Sequence, residues 1–181
     1  MELEQLATLK NAIAAETNPA FVGLRNAGAT GAMAEFYNQP SEPAFYVWKT
    51  NASVDDIYDA IDWAKLTPND VSDGTALYTN RALLCQAKQI NLQIMLQGQM
   101  RVNATKTKIR NGLTDALQNV PSGTAGAIQD GGWLAVKNTM YRQCTRGERL
   151  YATGTGTTGV PGLAVYEGNI SHSDFILALY S

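Results

Sequence analysis

Apolar residues recur at helical intervals from the start of the chain. Leu3, Leu6, Leu9 and Ile13 share a stripe over Glu2 to Ala15, and Thr17, Asn18 and Pro19 end that segment and can start another. Two further clusters, Phe21, Val22 and Leu24, then Met33, Phe36 and Tyr37, lie either side of Gly28 and Gly31. They predict two short helices around a glycine turn. Pro40 and Pro43 make the next stretch extended and loop-like. Ser53 is placed as an N-cap, with Asp55 and Asp56 where a helix dipole favours carboxylates. Ile57, Ala60, Ile61 and Ala64 then define an amphipathic face running to Lys65, and Thr67 to Asp70 reads as a turn or a single helical turn.

The strongest periodicity lies in the middle, from about Thr75 or Thr79 to Gln97. At about 100° per residue, Leu83, Ala87, Ile90 and Ile94 form one apolar stripe, while Cys85, Leu92 and Leu96 form another on the far side. Gln86, Gln89, Gln93 and Gln97 fall within one quadrant between them. A helix apolar on two sides touches two neighbours: two helices of its own chain, or one of its own and one of another subunit. Gly98 to Val102 should break this helix, and a second long one follows over Ala104 to Asn119, with Ile109, Leu113, Ala116, Leu117 and Val120 as its apolar set and Pro121 as its stop. Ser122 to Gly126 reads as a flexible link. Trp133, Val136, Met140, Cys144 and Gly147 then predict the inner face of one helix over 132 to about 151, with Lys137, Arg142, Arg146 and Arg149 outside.

The last thirty residues change character. A glycine and threonine loop, 153 to 162, leads into a short strand, Leu163 to Tyr166, and a turn. Ser171 and Asp174 resemble a capping box launching a short helix, Phe175 to Tyr180. The expected fold is mainly α: a helix bundle with long central helices over 1–151, and a small C-terminal β element, hairpin or arm, with the terminal helix over 152–181. The longest apolar run, Phe175 to Leu179, is five residues, too short for a bilayer. The acidic start, Met1 to Glu4, has no basic flank of a signal peptide, and the expectation is a soluble intracellular product.

Charge alters this picture more by distribution than by total. The net charge is −2, but residues 1–73 hold 11 acids and 4 bases, whereas 74–114 hold no acid and six bases: Arg81, Lys88, Arg101, Lys106, Lys108 and Arg110. Such a stretch is a solvated basic face, or a contact with something acidic: nucleic acid, or the acidic segment of an identical copy. Thr, Asn and Gln together outnumber the charged residues, 40 to 30, which suits surfaces that become buried in interfaces.

Candidate chemistry is thin. Gly154, Gly156 and Gly159 fit a dinucleotide-binding pattern, but a helix precedes the loop and a strand follows, the reverse of what pyrophosphate binding needs. Ser171, His172 and Asp174 are triad residue types at a helix start, where capping accounts for the serine and aspartate. Asp55, Asp56, Asp59 and Asp62 sit where the helix dipole explains them. One histidine and two separated cysteines, Cys85 and Cys144, make neither a zinc site nor a disulfide scaffold. No catalytic, metal or cofactor-binding residue is therefore assigned, and no enzyme is expected. The candidate interface or channel residues are Arg81, Lys88, Arg101, Lys106, Lys108 and Arg110 with Gln86, Gln89, Gln93 and Gln97.

An acidic first helix, a helix bundle with a long basic hairpin, and a Gly/Thr loop before a β-turn and terminal helix make the chain resemble the head–tail adaptor (head completion, or neck connector) proteins of tailed bacteriophages. The phrases that carry the resemblance are Tyr46-Val-Trp48-Lys-Thr50, Leu77-Tyr-Thr-Asn-Arg81 and Ala152-Thr-Gly-Thr-Gly-Thr-Thr158. It implies a virion protein, assembled in the host cytoplasm, that forms a ring of identical subunits under the portal. Its partners would be the portal protein, the next neck or tail protein and the packaged DNA in the channel, with no membrane and no cofactor. The alternatives are another neck or tail component such as a tail terminator, or a DNA-binding module using 81–110.

Overall fold

A computed structural model describes residues 1–67, 75–121 and 128–180. Its helices, in chain order, are α1 (Leu3–Ala15), α2 (Pro19–Asn26), α3 (Thr30–Tyr37), α4 (Val54–Ala60), α5 (Ala76–Leu96), α6 (Thr107–Gln118), α7 (Trp133–Thr139), α8 (Arg146–Arg149) and α9 (His172–Tyr180). The described strands are two or three residues long and pair two at a time. The protein is mainly α. The turn expected at 67–70 and the link at 122–126 fall, beyond Thr67, outside the described residues.

The chain divides into two compact units. One unit joins Met1–Trp48 to Gln143–Ser181, and the other is Lys49–Arg142. The first carries 8 acids and 4 bases, the second 8 acids and 10 bases.

In the first unit, α9 packs against α1 and α3, and α2 against α3. Leu6, Leu9 and Ile13 meet a cluster of rings: Phe21 lies 5.0 Å from Phe36 and 5.3 Å from Tyr37, and Tyr37 lies 5.6 Å from Phe175. Leu3, expected on the same stripe, is exposed. It stands about 90° round the helix from the centre of the buried set. Local signals set the ends of these helices. Asn18 caps α2 through Ala20 N–H, with Pro19 in its first turn, and Gly28 takes φ +65° in the turn before α3. The Arg25 guanidinium donates to Ile13 O and Ala14 O, at 2.6 and 3.0 Å, placing a cation at the negative end of α1. Asn38 both donates to Ile170 O and accepts from Ile170 N–H, which ties the start of the C-terminal segment to the end of α3.

The Gly/Thr loop closes a hairpin in the same unit: Ala152–Thr153 pairs antiparallel with Leu163–Ala164. The expected C-terminal β element is thus present, with a strand of two residues where four were expected.

In the second unit α5 packs on α6 as a helical hairpin; Cys85, Leu92 and Leu96 of α5 and Leu113, Ala116 and Leu117 of α6 are all buried, and Met95 lies against Gly112. Thr75 Oγ1 caps α5 by accepting from Tyr78 N–H. Ser53 caps α4 as expected, but α4 ends at Ala60 rather than running to Lys65. Beyond it Asp62 N–H leaves the helical pattern to donate to Gly131 O, and a short 3-10 turn, Trp63–Leu66, follows. Gly132, at φ +93°, lies so close to Ala60 O that a Cβ there would stand 2.8 Å from it. Ala52–Ser53 pairs with Arg101–Val102, and Val120–Pro121 with Ile128–Gln129.

The single helix expected over 132–151 is broken. α7 stops at Thr139, residues 141–143 are extended, and α8 begins at Arg146. Val136, Met140, Cys144 and Gly147 are buried and Trp133 is half-buried, so the helical spacing did mark mostly inward positions. The backbone bonds go elsewhere: Cys144 N–H donates to Phe45 O and Cys144 O accepts from Ser41 N–H. Thr145 and Glu148 then start α8 with a capping box of their own. Glu148 is buried, and its second oxygen accepts from Gly168 N–H at 3.0 Å.

Candidate assembly surface

The acid-free stretch does not form one basic face. Lys88 donates to Asp115 O at 2.7 Å and pairs with Asp115 Oδ1 at 3.1 Å, which ties α5 to α6. Arg110 turns back to the loop before its own helix, donating to Ala104 O, Thr105 O and Thr107 Oγ1 at 2.6, 2.7 and 3.0 Å. Burial lowers its pKa from the ordinary guanidinium value. It is a helix-entry clamp rather than a free cation. Arg81 lies half-buried over the Tyr78 ring. Only Arg101, Lys106 and Lys108 of the six are exposed, and all three belong to the α5–α6 turn or the first turn of α6. The candidate glutamines separate likewise. Gln89 donates to Leu66 O at 2.8 Å, while Gln86, Gln93 and Gln97 are exposed.

The two stripes of α5 have different fates. Cys85, Leu92 and Leu96 are 1% exposed; Leu83, Ile90 and Ile94 are 57, 46 and 67% exposed, with Ala87 open between them. Leu77 and Leu84 extend the open face on one side, and Gln86, Gln93 and Gln97 border it on the other. On the helical wheel every charged residue of α5, Arg81 and Lys88, falls more than about 130° from Leu83. The helix therefore shows solvent a face that is apolar along its length, uncharged across its width and flanked by amides. Scattered exposed apolar residues are ordinary; a contiguous uncharged stripe is the surface type that protein contacts cover. The periodicity had marked this stripe, but spacing alone gave no means of telling which side the rest of the chain would cover.

The remaining sequence candidates have structural roles. Gly156, at φ +65°, and Gly162 press against Phe45, whose ring a Cβ at either position would strike. The glycine pattern thus lets backbone approach an aromatic ring. Ser171 Oγ and N–H both bond Asp174, whose carboxylate also meets the Met1 amino group at 3.5 Å, and His172 Nδ1 is 2.8 Å from Thr30 Oγ1. Asp55, Asp56 and Asp59 line the exposed side of α4. Among the described residues no three potential metal ligands come together, and no helix is long and apolar enough to cross a membrane.

A concavity of about 470 Å³ in the first unit is lined by Glu16, Asn18, Tyr37, Glu42, Arg146 and Arg149, among others. Its cations are engaged: Arg146 with Glu42 at 2.9 Å and over the Phe36 ring at 4.1 Å, Arg149 with Pro43 O. Tyr37 is pushed up to about 12 by burial and the nearby Glu16 charge. No protein-family model, curated protein or solved structure matches this chain.

Proposed function

We propose that this chain is a structural assembly protein acting as a head-to-tail adaptor: a subunit of a ring under the portal, joining capsid to tail around the DNA channel of a virion. The carrying observation is the open face of α5, Leu83, Ala87, Ile90 and Ile94, bordered by amides on the longest described helix. A surface of that kind favours burial against protein over contact with a charged ligand. The reading assigns the chain no turnover and no cofactor. Its partners are identical subunits, the portal protein and the next neck or tail protein, with packaged DNA passing through. The three exposed cations of the acid-free stretch, Arg101, Lys106 and Lys108, are too few for tight duplex binding by that stretch alone.

The test is complementation. Particles made without this chain should accumulate as DNA-filled heads and free tails, and purified chain added to that mixture should restore joined particles. Joined particles without the chain would overturn the reading.

A further inference from the structure

α9 is the second helix with an uncovered apolar side. Phe175 and Ala178 enter the first unit's core, but Ile176, Leu177, Leu179 and Tyr180 are exposed, Tyr180 by 85%. The Met1 amino group contacts Asp174 in the first turn of α9, which brings the exposed Glu2 and Glu4 beside that end of the helix. The open face of α5 has different surroundings: beyond its C-terminal end lie exposed Arg101, Lys106 and Lys108, with Arg101 sharing a shallow concavity with Asp55 and Asp56.

We infer that the open face of α5 in one copy receives the open face of α9 from the next copy, the two helices antiparallel, so that copies join head to tail. This rests on the assembly reading and names the contact within it. Each apolar side then covers the other, and the acidic start of α9 meets the basic end of α5. Pairing α5 with α5, or α9 with α9, gives neither charged end a counter-charge; the mixed pairing supplies both. The lengths agree. Nine residues of α9 rise about 13 Å, and Leu83 to Ile94 span about 17 Å of α5. Where the two surfaces of one chain are taken by two different neighbours the contact is heterologous, and it generates rings or filaments. A single helix pair buries less than the roughly 800 Å² per partner of a standard interface, so the contact is weak in free solution.

Sedimentation equilibrium of the full chain, from about 10 to about 500 µM, tests this. The expected average mass for the wild type rises past that of a dimer. Ile94→Asp and Leu177→Asp, each at an exposed position, should both weaken association at least tenfold while the circular dichroism spectrum stays unchanged. Mixed in equal amounts, they retain one good surface each, and should form a dimer and nothing larger. Three results would overturn the inference: a wild type that is monomeric throughout, variants that associate as the wild type does, or a Leu177→Asp chain that dimerises by itself while Ile94→Asp does not. The adaptor reading fails separately, if chains that associate in this way do not join heads to tails.

Discussion

Replacing Arg110 with Ala removes three hydrogen bonds at once, two of them to the carbonyls of Ala104 and Thr105 that lead into α6. A hydrogen bond from a charged donor contributes about 1.5–3 kcal/mol. Ala104 is buried, but Thr105 is half-buried and Thr107 exposed, and these two can recover bonding from water, so the expected loss is about 2 kcal/mol rather than the sum. With a urea slope of about 1.5 kcal/mol per molar, the midpoint should fall by about 1.3 M. Lysine at 110 cannot span both carbonyls and the threonine, so Arg110→Lys should recover less than half of the loss. Lys106→Gln and Lys108→Gln, at exposed positions, should change stability by no more than about 0.5 kcal/mol. The assay is urea unfolding followed by far-ultraviolet circular dichroism on the full chain. An Arg110→Ala midpoint within about 0.3 M of the wild type would refute the clamp and return Arg110 to the set of free cations. A test of charged contacts should accordingly reverse Lys106 and Lys108 and leave Arg110 in place.

Glu148→Ala, which leaves Thr145 N–H and Gly168 N–H without their carboxylate, should cost about 2–3 kcal/mol in the same urea assay. Gly23→Ala, inside α2 with nothing within 4 Å of the new methyl, should stabilise by about 0.5–1 kcal/mol, whereas Gly156→Ala, at φ +65° against Phe45, should lower the melting temperature. At Asp174 burial opposes the charge, but the Ser171 bonds and the Met1 amino group outweigh it and hold the carboxyl below its ordinary value. The stability it contributes is therefore present above the unfolded carboxyl pKa of about 4 and lost as pH falls through the folded one. Asp174→Asn should flatten that acid limb in a stability-versus-pH series. Tyr37 has the opposite sign: raised to about 12, it stabilises fully below the unfolded value near 10, and that stability is lost as pH rises toward 12.

Local signals in the sequence were reliable where a side chain acts within four residues of its own position. Ser53 and the Ser171–Asp174 pair cap helices as the pattern implied, Asn18 and Thr75 cap helices whose starts the pattern had only bracketed, and α1, α2, α3, α5 and α6 lie where periodicity placed them. Distant backbone partners were illegible. Residues 132–151 carry inward positions at helical spacing, yet Cys144 bonds Ser41 and Phe45, and no local term reveals a partner about a hundred residues away. The same limit applies to charge. Six bases without an acid read as a patch, but Asp115 lies one residue past that stretch and takes Lys88, while Arg110 folds onto its own loop. The candidate face itself was half legible: the wheel gave two stripes on α5, and only packing decided that Leu83, Ile90 and Ile94 stay open.

The mass of the complex formed on portal rings tests the central claim most directly. Purified chain is mixed with assembled portal protein of the same particle and weighed by native mass spectrometry, with the Ile94→Asp chain in parallel. The account predicts a portal carrying a full ring of wild-type chains, and a portal left bare or partly filled by the variant. A wild-type chain that leaves the portal mass unchanged would contradict it.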